Sequence, residues 1–291
     1  MLTEQQNPKT KALDTLNTGQ ILQVMNEEDK SVALTVERAL PQIEKAVDAI
    51  VTALNKDGRL IYIGAGTSGR LGVLDAVECV PTFGTPPSLV RGLIAGGESA
   101  FIQAVEGAED NVDAGAEDLK AINLQANDIV IGIAASGRTP YVLGALDYAK
   151  SINVPTVGIS CNEPAELLTV ADIPIPLPVG AEILTGSTRL KAGTAQKMVL
   201  NMLSTASMVK IGKAYGNLMV DVKITNAKLQ IRAERILMKL TGIDEASASD
   251  LLEQAEGSVK VAVVMHHEQS SRTEALQRLA EANGILRDII G

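Results

Sequence analysis

Two short turns with the same Ser-Gly-Arg sequence carry the side chains best suited to binding a phosphate group. The first, Thr67-Ser68-Gly69-Arg70, follows the apolar stretch 59–63, and the second, Ser136-Gly137-Arg138-Thr139, follows the apolar stretch 129–134. Backbone N–H groups at a helix N-terminus hold a phosphate by hydrogen bonds, and the helix dipole adds to the attraction. We therefore predict that both turns bind a phosphorylated ligand through Thr67, Ser68, Ser136, Gly137, Arg138 and Thr139.

The first turn also fits another class of site. Gly64, Gly66 and Gly69 have the spacing of a dinucleotide-binding loop. Such a domain needs only that turn and an acid roughly 20 residues further along, a role that Glu98 could be assigned. Two Ser-Gly-Arg turns are a narrower signal than one GxGxxG, and the repetition at Ser136 favours a local phosphate site over a cofactor loop.

A third segment, residues 180–197, combines glycines, hydroxyl groups and cations ahead of a long apolar helix. Ser187 or Thr188 would serve as an ordinary N-cap if the segment only started that helix. The density of polar groups exceeds what capping requires. We therefore predict that Ser187 and Lys191 belong to a third wall of the site.

These segments must be positioned by an α/β fold. Five short β-branched stretches alternate with helical ones; the strands are predicted at about 59–63, 89–94, 129–134, 154–159 and 172–177, and the helices at about 68–79, 98–122 in two pieces, 139–151, 163–169 and 189–214. Continuous apolar strands separated by helices are typical of a doubly wound parallel sheet. Ligands of such sheets bind beyond the carboxyl ends of the strands, and a first strand beside the third would open both turns into one crevice.

The two ends of the chain differ from this α/β domain, which we place at residues 50–213. Residues 1–49 are predicted to form a helical arm, polar up to residue 25, with a helix that starts at the N-cap Asn26, kinks at Pro41 and ends at Gly58. Residues 214–291 contain four helical patterns, at about 226–241, 244–255, 257–266 and 271–289. They predict a small helical domain.

The composition limits the partners and the compartment. The net charge is −9, which disfavours a nucleic-acid partner. Cys79 and Cys161 lie in apolar segments and predict reduced thiols in a cytoplasmic protein. The N-terminal residues lack the apolar region of a signal peptide, and no stretch approaches the roughly 18 apolar residues of a membrane span.

Four segments carry a resemblance to a known family: GAGTSGRLGVLDAVEC (64–79), AGGESAFIQAVEGAED (95–110), GIAASGRTPYV (132–142) and GAEILTGSTRLKAGTAQK (180–197). Their paired turns resemble the SIS fold, a sugar isomerase domain that binds phosphosugars. Within that fold the four segments closely resemble the N-acetylmuramic acid 6-phosphate etherase family, which is related to the glucokinase regulatory protein. The resemblance runs from about residue 26 to residue 221, and the C-terminal region resembles the UBA-like domain of that family.

The resemblance implies a reaction and its functional residues. The family cleaves the D-lactyl ether of its substrate to N-acetylglucosamine 6-phosphate and D-lactate during cell-wall recycling, as a homodimer without metal or organic cofactor. Its motifs map two functional acids onto Glu78 and Glu109. The resemblance implies that Glu78 protonates the departing lactate and later activates water, and that Glu109 is the second acid/base group. We expect both carboxyl groups to be partly desolvated.

Other interpretations remain open from the sequence. A sugar-phosphate isomerase of the same fold would share the phosphate turns and proton abstraction at C2. A non-catalytic sensor such as the glucokinase regulatory protein carries two SIS domains, whereas this chain has the length for one. The two histidines, His266 and His267, are adjacent, so their side chains diverge on a helix, and we interpret them as exposed or interface residues rather than metal ligands.

Overall fold

The computed structural model describes residues 1–103, 105–224 and 226–291. Its contacts divide the chain into two compact units. Unit 1 comprises Met1–Ala76 and Ser88–Ser204, and unit 2 comprises Val77–Pro87 and Thr205–Gly291. The N-terminal arm is therefore part of the compact α/β unit, and a short segment from the middle of the chain belongs to unit 2.

Unit 1 is built on a five-stranded sheet, and every pair of neighbouring strands in it is parallel. The strands are β1 (Leu60–Gly64), β2 (Val90–Ile94), β3 (Ile129–Ala134), β4 (Thr156–Ser160) and β5 (Ile173–Pro176), in the order β2-β1-β3-β4-β5. All residues of β1, β3 and β4 are buried, as a sheet covered on both faces requires. The predicted parallel sheet, with its first strand beside its third, is confirmed.

Helices follow the strands in the alternating order predicted. They are α1 (Thr18–Leu54), α2 (Gly66–Phe83), α3 (Ser99–Ile102), α4 (Val112–Ala121), α5 (Pro140–Ser151), α6 (Glu166–Val170) and α7 (Lys191–Lys210). Ala104, inside the stretch 98–122 predicted as helical, lies outside the described residues. Among the described residues, no helix combines the length and hydropathy of a membrane-spanning segment.

The start of α1 corrects the prediction made for the N-terminal arm. The helix begins at Thr18, because Asn17 accepts a hydrogen bond from the Gln20 N–H and the Gln20 side chain accepts one from the Asn17 N–H. This reciprocal capping box satisfies two otherwise unpaired donors, so Asn26 lies inside the helix and is not its N-cap. The helix also continues through Pro41. Before it, residues 1–17 form three short 3₁₀ turns.

Unit 2 contains a helical bundle. Its helices are α8 (Ala227–Thr241), α9 (Glu245–Gln254), α10 (Val259–Glu268), α11 (Arg272–Glu281) and α12 (Arg287–Ile290). The helix predicted at 271–289 is two helices, because the chain turns through the positive φ angles of Asn283 and Gly284. His266 and His267 are exposed in the last turn of α10.

Candidate active site

A cavity of about 410 Å³ lies beyond the carboxyl ends of β1 and β3. This is where ligands bind in open parallel sheets. Its walls come from the N-terminal arm, both Ser-Gly-Arg turns, the segment after β2 and the segment before α7; the lining residues are Met1, Glu4, Ala65, Gly66, Thr67, Ser68, Glu109, Asp110, Ile133, Ala134, Ala135, Ser136, Arg138, Thr139, Pro140 and Thr188. The volume is within the range of small-molecule sites.

The first turn places the N-terminus of α2 against the cavity. β1 ends at Gly64, α2 begins at Gly66, and Thr67 and Ser68 line the cavity from the first turn of the helix. Gly69 allows this tight connection, because a methyl group there would lie 2.6 Å from the Gly64 carbonyl oxygen. Ser68 is buried and donates a hydrogen bond to Gln196 Oε1 at 3.0 Å. The geometry offers a phosphate the unpaired N–H groups of a helix N-terminus.

The second turn contributes hydroxyl groups from the neighbouring strand. The oxygens of Ser136 and Thr139 lie 3.4 Å apart, and the Arg138 N–H donates to Ser136 Oγ at 3.3 Å. Ser136, Arg138 and Thr139 all line the cavity, while Gly137 is buried behind it. The structure therefore brings five of the predicted ligand residues together around one cavity: Thr67, Ser68, Ser136, Arg138 and Thr139.

The segment before α7 contributes a different residue from those predicted. Thr188 lines the cavity, but Ser187 and Lys191 do not. Lys191 is buried, with 3% of its surface exposed, and its Nζ donates to Glu28 Oε2 at 2.8 Å. The Lys191 ammonium group therefore pairs with Glu28 of α1 and does not face the cavity. Ser187 is the residue before Thr188, which does line the cavity.

Glu28 carries the charge that holds Lys191 in place. Burial raises the pKa of Glu28, but hydrogen bonds from Lys191, Lys9 and Asn7 outweigh it and lower that pKa to about 2. The backbone of Lys191 is held by a second carboxylate. Buried Glu182 accepts hydrogen bonds from the backbone N–H groups of Lys191 and Ala192 at 3.0 and 2.9 Å. Burial raises the pKa of Glu182, and these hydrogen bonds oppose that increase. Lys191 is thus a structural ion-pair partner at the start of α7.

The predicted acids differ in their placement. Glu109 lines the cavity, and it also lines a second cavity of about 280 Å³ that shares Ala65 and Gly66 with the first. Glu78 is on α2 but belongs to unit 2, and it does not line the 410 Å³ cavity. Both side chains are exposed in the single chain, contrary to the expected partial desolvation.

Glu4 and Met1 line the cavity from the arm, although no motif within residues 1–25 predicts a place in the site. Asp110 is a further lining carboxylate, next to Glu109 in an acidic stretch. Its position could be anticipated only after Glu109 had been assigned. Arg70, the arginine of the first turn, donates to the carbonyl oxygens of Ala100 and Phe101 at 2.8 and 2.9 Å.

Comparison with known proteins gives the family. The chain is 57% identical over 287 residues to the N-acetylmuramic acid 6-phosphate etherase of Geobacillus thermodenitrificans, covering 99% of this chain and 97% of that protein. It is 57% identical over 290 residues to N-acetylmuramic acid 6-phosphate etherase 2 of Lactiplantibacillus plantarum, covering 100% and 98%. This chain belongs to the N-acetylmuramic acid 6-phosphate etherase family.

Domain models and a solved structure agree with the fold of this etherase family. The N-terminal SIS domain of the glucokinase regulatory protein matches residues 42–150, and the general SIS domain matches residues 108–206. A phosphoheptose isomerase from Francisella tularensis is similar with a TM-score of 0.51 and 18% identity, over 67% of this chain and 100% of that one. The SIS fold predicted from the paired turns is confirmed.

Proposed function

We propose that this protein cleaves the D-lactyl ether of N-acetylmuramic acid 6-phosphate, giving N-acetylglucosamine 6-phosphate and D-lactate in the recycling of cell-wall amino sugars. The observation that carries the proposal is a cavity with hydroxyl and helix N-terminal donors beside a carboxylate, in a chain 57% identical to etherases over nearly its whole length. The donors suit the phosphate, and the carboxylate suits proton transfer.

The reaction divides into an elimination and a hydration. In the open-chain sugar the lactyl oxygen is on C3, which is β to the C1 aldehyde. Removal of the C2 proton gives an enolate, and its electron pair forms the C2–C3 double bond as the C3–O bond breaks. The lactate oxygen takes up a proton. Water then adds to C3, C2 is reprotonated, and the sum is consumption of one water. No electrons are transferred to or from the sugar as a whole.

In this proposal Glu109 is the acid/base group at C2, and Glu78 protonates the departing lactate and later activates water. Glu109 lines the same cavity as the proposed phosphate ligands Ser68 and Ser136, which supports its assignment to the sugar carbons. Both carboxyl groups are exposed in the single chain. Substrate bound in the cavity would remove water from Glu109, which lines it, and so favour proton transfer there.

Glu78 poses a geometric question that bears on assembly. It is ten residues beyond Ser68 on α2, which corresponds to about 15 Å along the helix axis. C3 is only a few bonds from the phosphate. We therefore include in the proposal a homodimer in which Glu78 serves the cavity of the second copy. We also propose a cytoplasmic location, which suits two buried cysteines, Cys79 and Cys161, that form no disulfide within the described residues.

The test is the release of D-lactate from N-acetylmuramic acid 6-phosphate by the purified protein. We expect one D-lactate and one N-acetylglucosamine 6-phosphate for each substrate consumed, and incorporation of one solvent oxygen at C3. Glu78→Gln and Glu109→Gln should each retain binding of N-acetylglucosamine 6-phosphate while losing most lactate release, with Glu117→Gln, an exposed acid of α4, as the control. Isomerisation of a sugar phosphate without lactate release would replace the etherase proposal by an isomerase.

A further inference from the structure

The N-terminal arm brings a carboxylate into the cavity that the proposed reaction leaves unassigned. Glu4 lines the 410 Å³ cavity together with Glu109, Asp110 and the phosphate-binding turns. The Glu4 carboxylate lies close to the segment before α7: a methyl group on Gly186 would be 3.3 Å from Glu4 Oε2. Glu4 therefore faces the cavity beside Thr188, which lines the same wall.

The residue before Glu4 is fixed by buried hydrogen bonds. The backbone N–H of Thr3 donates to Asn162 Oδ1 at 3.2 Å, and Asn162 Nδ2 donates to Thr3 Oγ1 at 2.9 Å. The same Nδ2 donates to the carbonyl oxygen of Ala135 at 2.8 Å. Thr3 has no exposed surface, and Asn162 has 2%. Asn162 thus ties the arm to the backbone that leads directly into Ser136.

The residues after Glu4 are held at a second place. Asn7 Nδ2 donates to Glu28 Oε2 at 3.0 Å, and that carboxylate is the one paired with Lys191. Thr10 Oγ1 donates to the carbonyl oxygen of Ile183 at 2.8 Å. Glu4 therefore lies between two buried anchors, Thr3 directly before it and Asn7 three residues after it. These hydrogen bonds on both sides fix the backbone that carries Glu4 at the wall of the cavity.

A carboxylate at this place is unsuited to the phosphate and suited to the rest of the sugar. It repels a phosphate dianion, but it accepts hydrogen bonds from hydroxyl groups, and such charge-assisted bonds are stronger than neutral ones. We propose that Glu4 is a substrate-contacting specificity residue that accepts hydrogen bonds from hydroxyl groups of the sugar phosphate. This inference rests on the proposed sugar-phosphate substrate and adds a third carboxylate to its site.

Two ligands separate this role from a purely structural one. The dissociation constants of N-acetylglucosamine 6-phosphate and of inorganic phosphate are measured by calorimetry for the wild type, Glu4→Ala and Glu4→Gln. Loss of hydrogen bonds to a charged acceptor predicts that Glu4→Ala binds the sugar phosphate about 10- to 100-fold more weakly. Inorganic phosphate should bind as well as before or more tightly, because a negative charge has been removed. Glu4→Gln should be intermediate for the sugar phosphate.

The matched control is Asp14→Asn, which removes one exposed negative charge from the same arm at a residue outside the cavity. It should leave both constants unchanged. If Glu4→Ala weakens the binding of both ligands equally, Glu4 only supports the arm. If the dissociation constant of the sugar phosphate is unchanged, Glu4 does not contact the substrate. Either result overturns the inference. Because binding is measured without turnover, the inference is tested separately from D-lactate release, whose absence would overturn the proposed function instead.

Discussion

Replacing Lys191 by methionine should destabilise the protein without removing a phosphate ligand. Lys191 and Glu28 form an ion pair at 2.8 Å, and their side chains are 4% and 10% exposed. Methionine has about the length of lysine but carries no charge, so Lys191→Met leaves a buried carboxylate that has lost its main partner. Breaking one side of a buried pair costs about 3–5 kcal/mol in the free energy of unfolding.

The lowered pKa of Glu28 predicts how the stability of the protein depends on pH. The pKa falls from 4.5 to about 2 because Lys191, Lys9 and Asn7 together outweigh the effect of burial. A carboxyl group whose pKa is lowered by folding stabilises the protein above its unfolded pKa, and that stabilisation is lost as the pH falls through the folded pKa. The wild type should therefore lose this contribution between about pH 5 and pH 2. Glu28→Gln should lack that part of the acid sensitivity.

Urea denaturation at pH 7 of Lys191→Met, Glu28→Gln and the double variant forms a double-mutant cycle. The double variant should be more stable than Lys191→Met, because no uncompensated charge remains. Lys9→Met is the control, since the Lys9 side chain is 74% exposed and its pair with Glu28 should contribute little to stability. The double variant should also bind inorganic phosphate like the wild type. A loss of stability below 1 kcal/mol in Lys191→Met, or weakened phosphate binding in the double variant, would refute the assignment of Lys191 as a structural cation.

Three further predictions test the turns and the assembly. Gly69→Ala should cost about 1–3 kcal/mol and abolish lactate release, because its methyl group would meet the Gly64 carbonyl oxygen at 2.6 Å; thermal denaturation and the lactate assay measure both effects. Ser136→Ala should raise KM about 10- to 100-fold with a smaller change in kcat, and an unchanged KM would exclude Ser136 from the phosphate site. Mixing the inactive Glu78→Gln and Glu109→Gln chains should restore about a quarter of the activity if sites combine residues of two copies, whereas sites made within one copy predict no recovery.

The fold and the placement of both Ser-Gly-Arg turns at one cavity could be predicted because their signals are local. A run such as Ile129–Ala134 is apolar at every position, which few structures other than a buried parallel strand accommodate. The sequence of each Ser-Gly-Arg turn contains both the glycine that the turn needs and a serine that lines the cavity. The repeated motif therefore indicated two adjacent strands of one sheet, and β1 does pair with β3.

The contacts of the N-terminal arm and of Lys191 could not be predicted from local sequence, because their partners are far away in the chain. Glu28 is 163 residues from Lys191, and Thr3 is 159 residues from Asn162. A lysine in a segment of glycines and hydroxyls is locally indistinguishable from a phosphate ligand. Only the contact between α1 and the start of α7 shows that Lys191 pairs with Glu28. The predicted start of α1 was wrong for a local reason. Asn17 and Gln20 form a full capping box, whereas Asn26 could offer only a single capping side chain.

The position of Lys191 outside the cavity lining is consistent with the proton transfers proposed for the cavity. Among the described residues that line the cavity, Arg138 has the one cationic side chain. Hydroxyls, helix N–H groups and three carboxylates, those of Glu4, Glu109 and Asp110, form much of the remaining polar lining. A lysine close to Glu109 would lower the affinity of its carboxylate for a proton and so oppose its use as the base at C2. Neutral donors can bind a phosphate while adding less positive charge next to that carboxylate. A site that must both hold a dianion and exchange protons therefore gains from keeping its lysine buried against Glu28, where the same charge anchors the arm that carries Glu4.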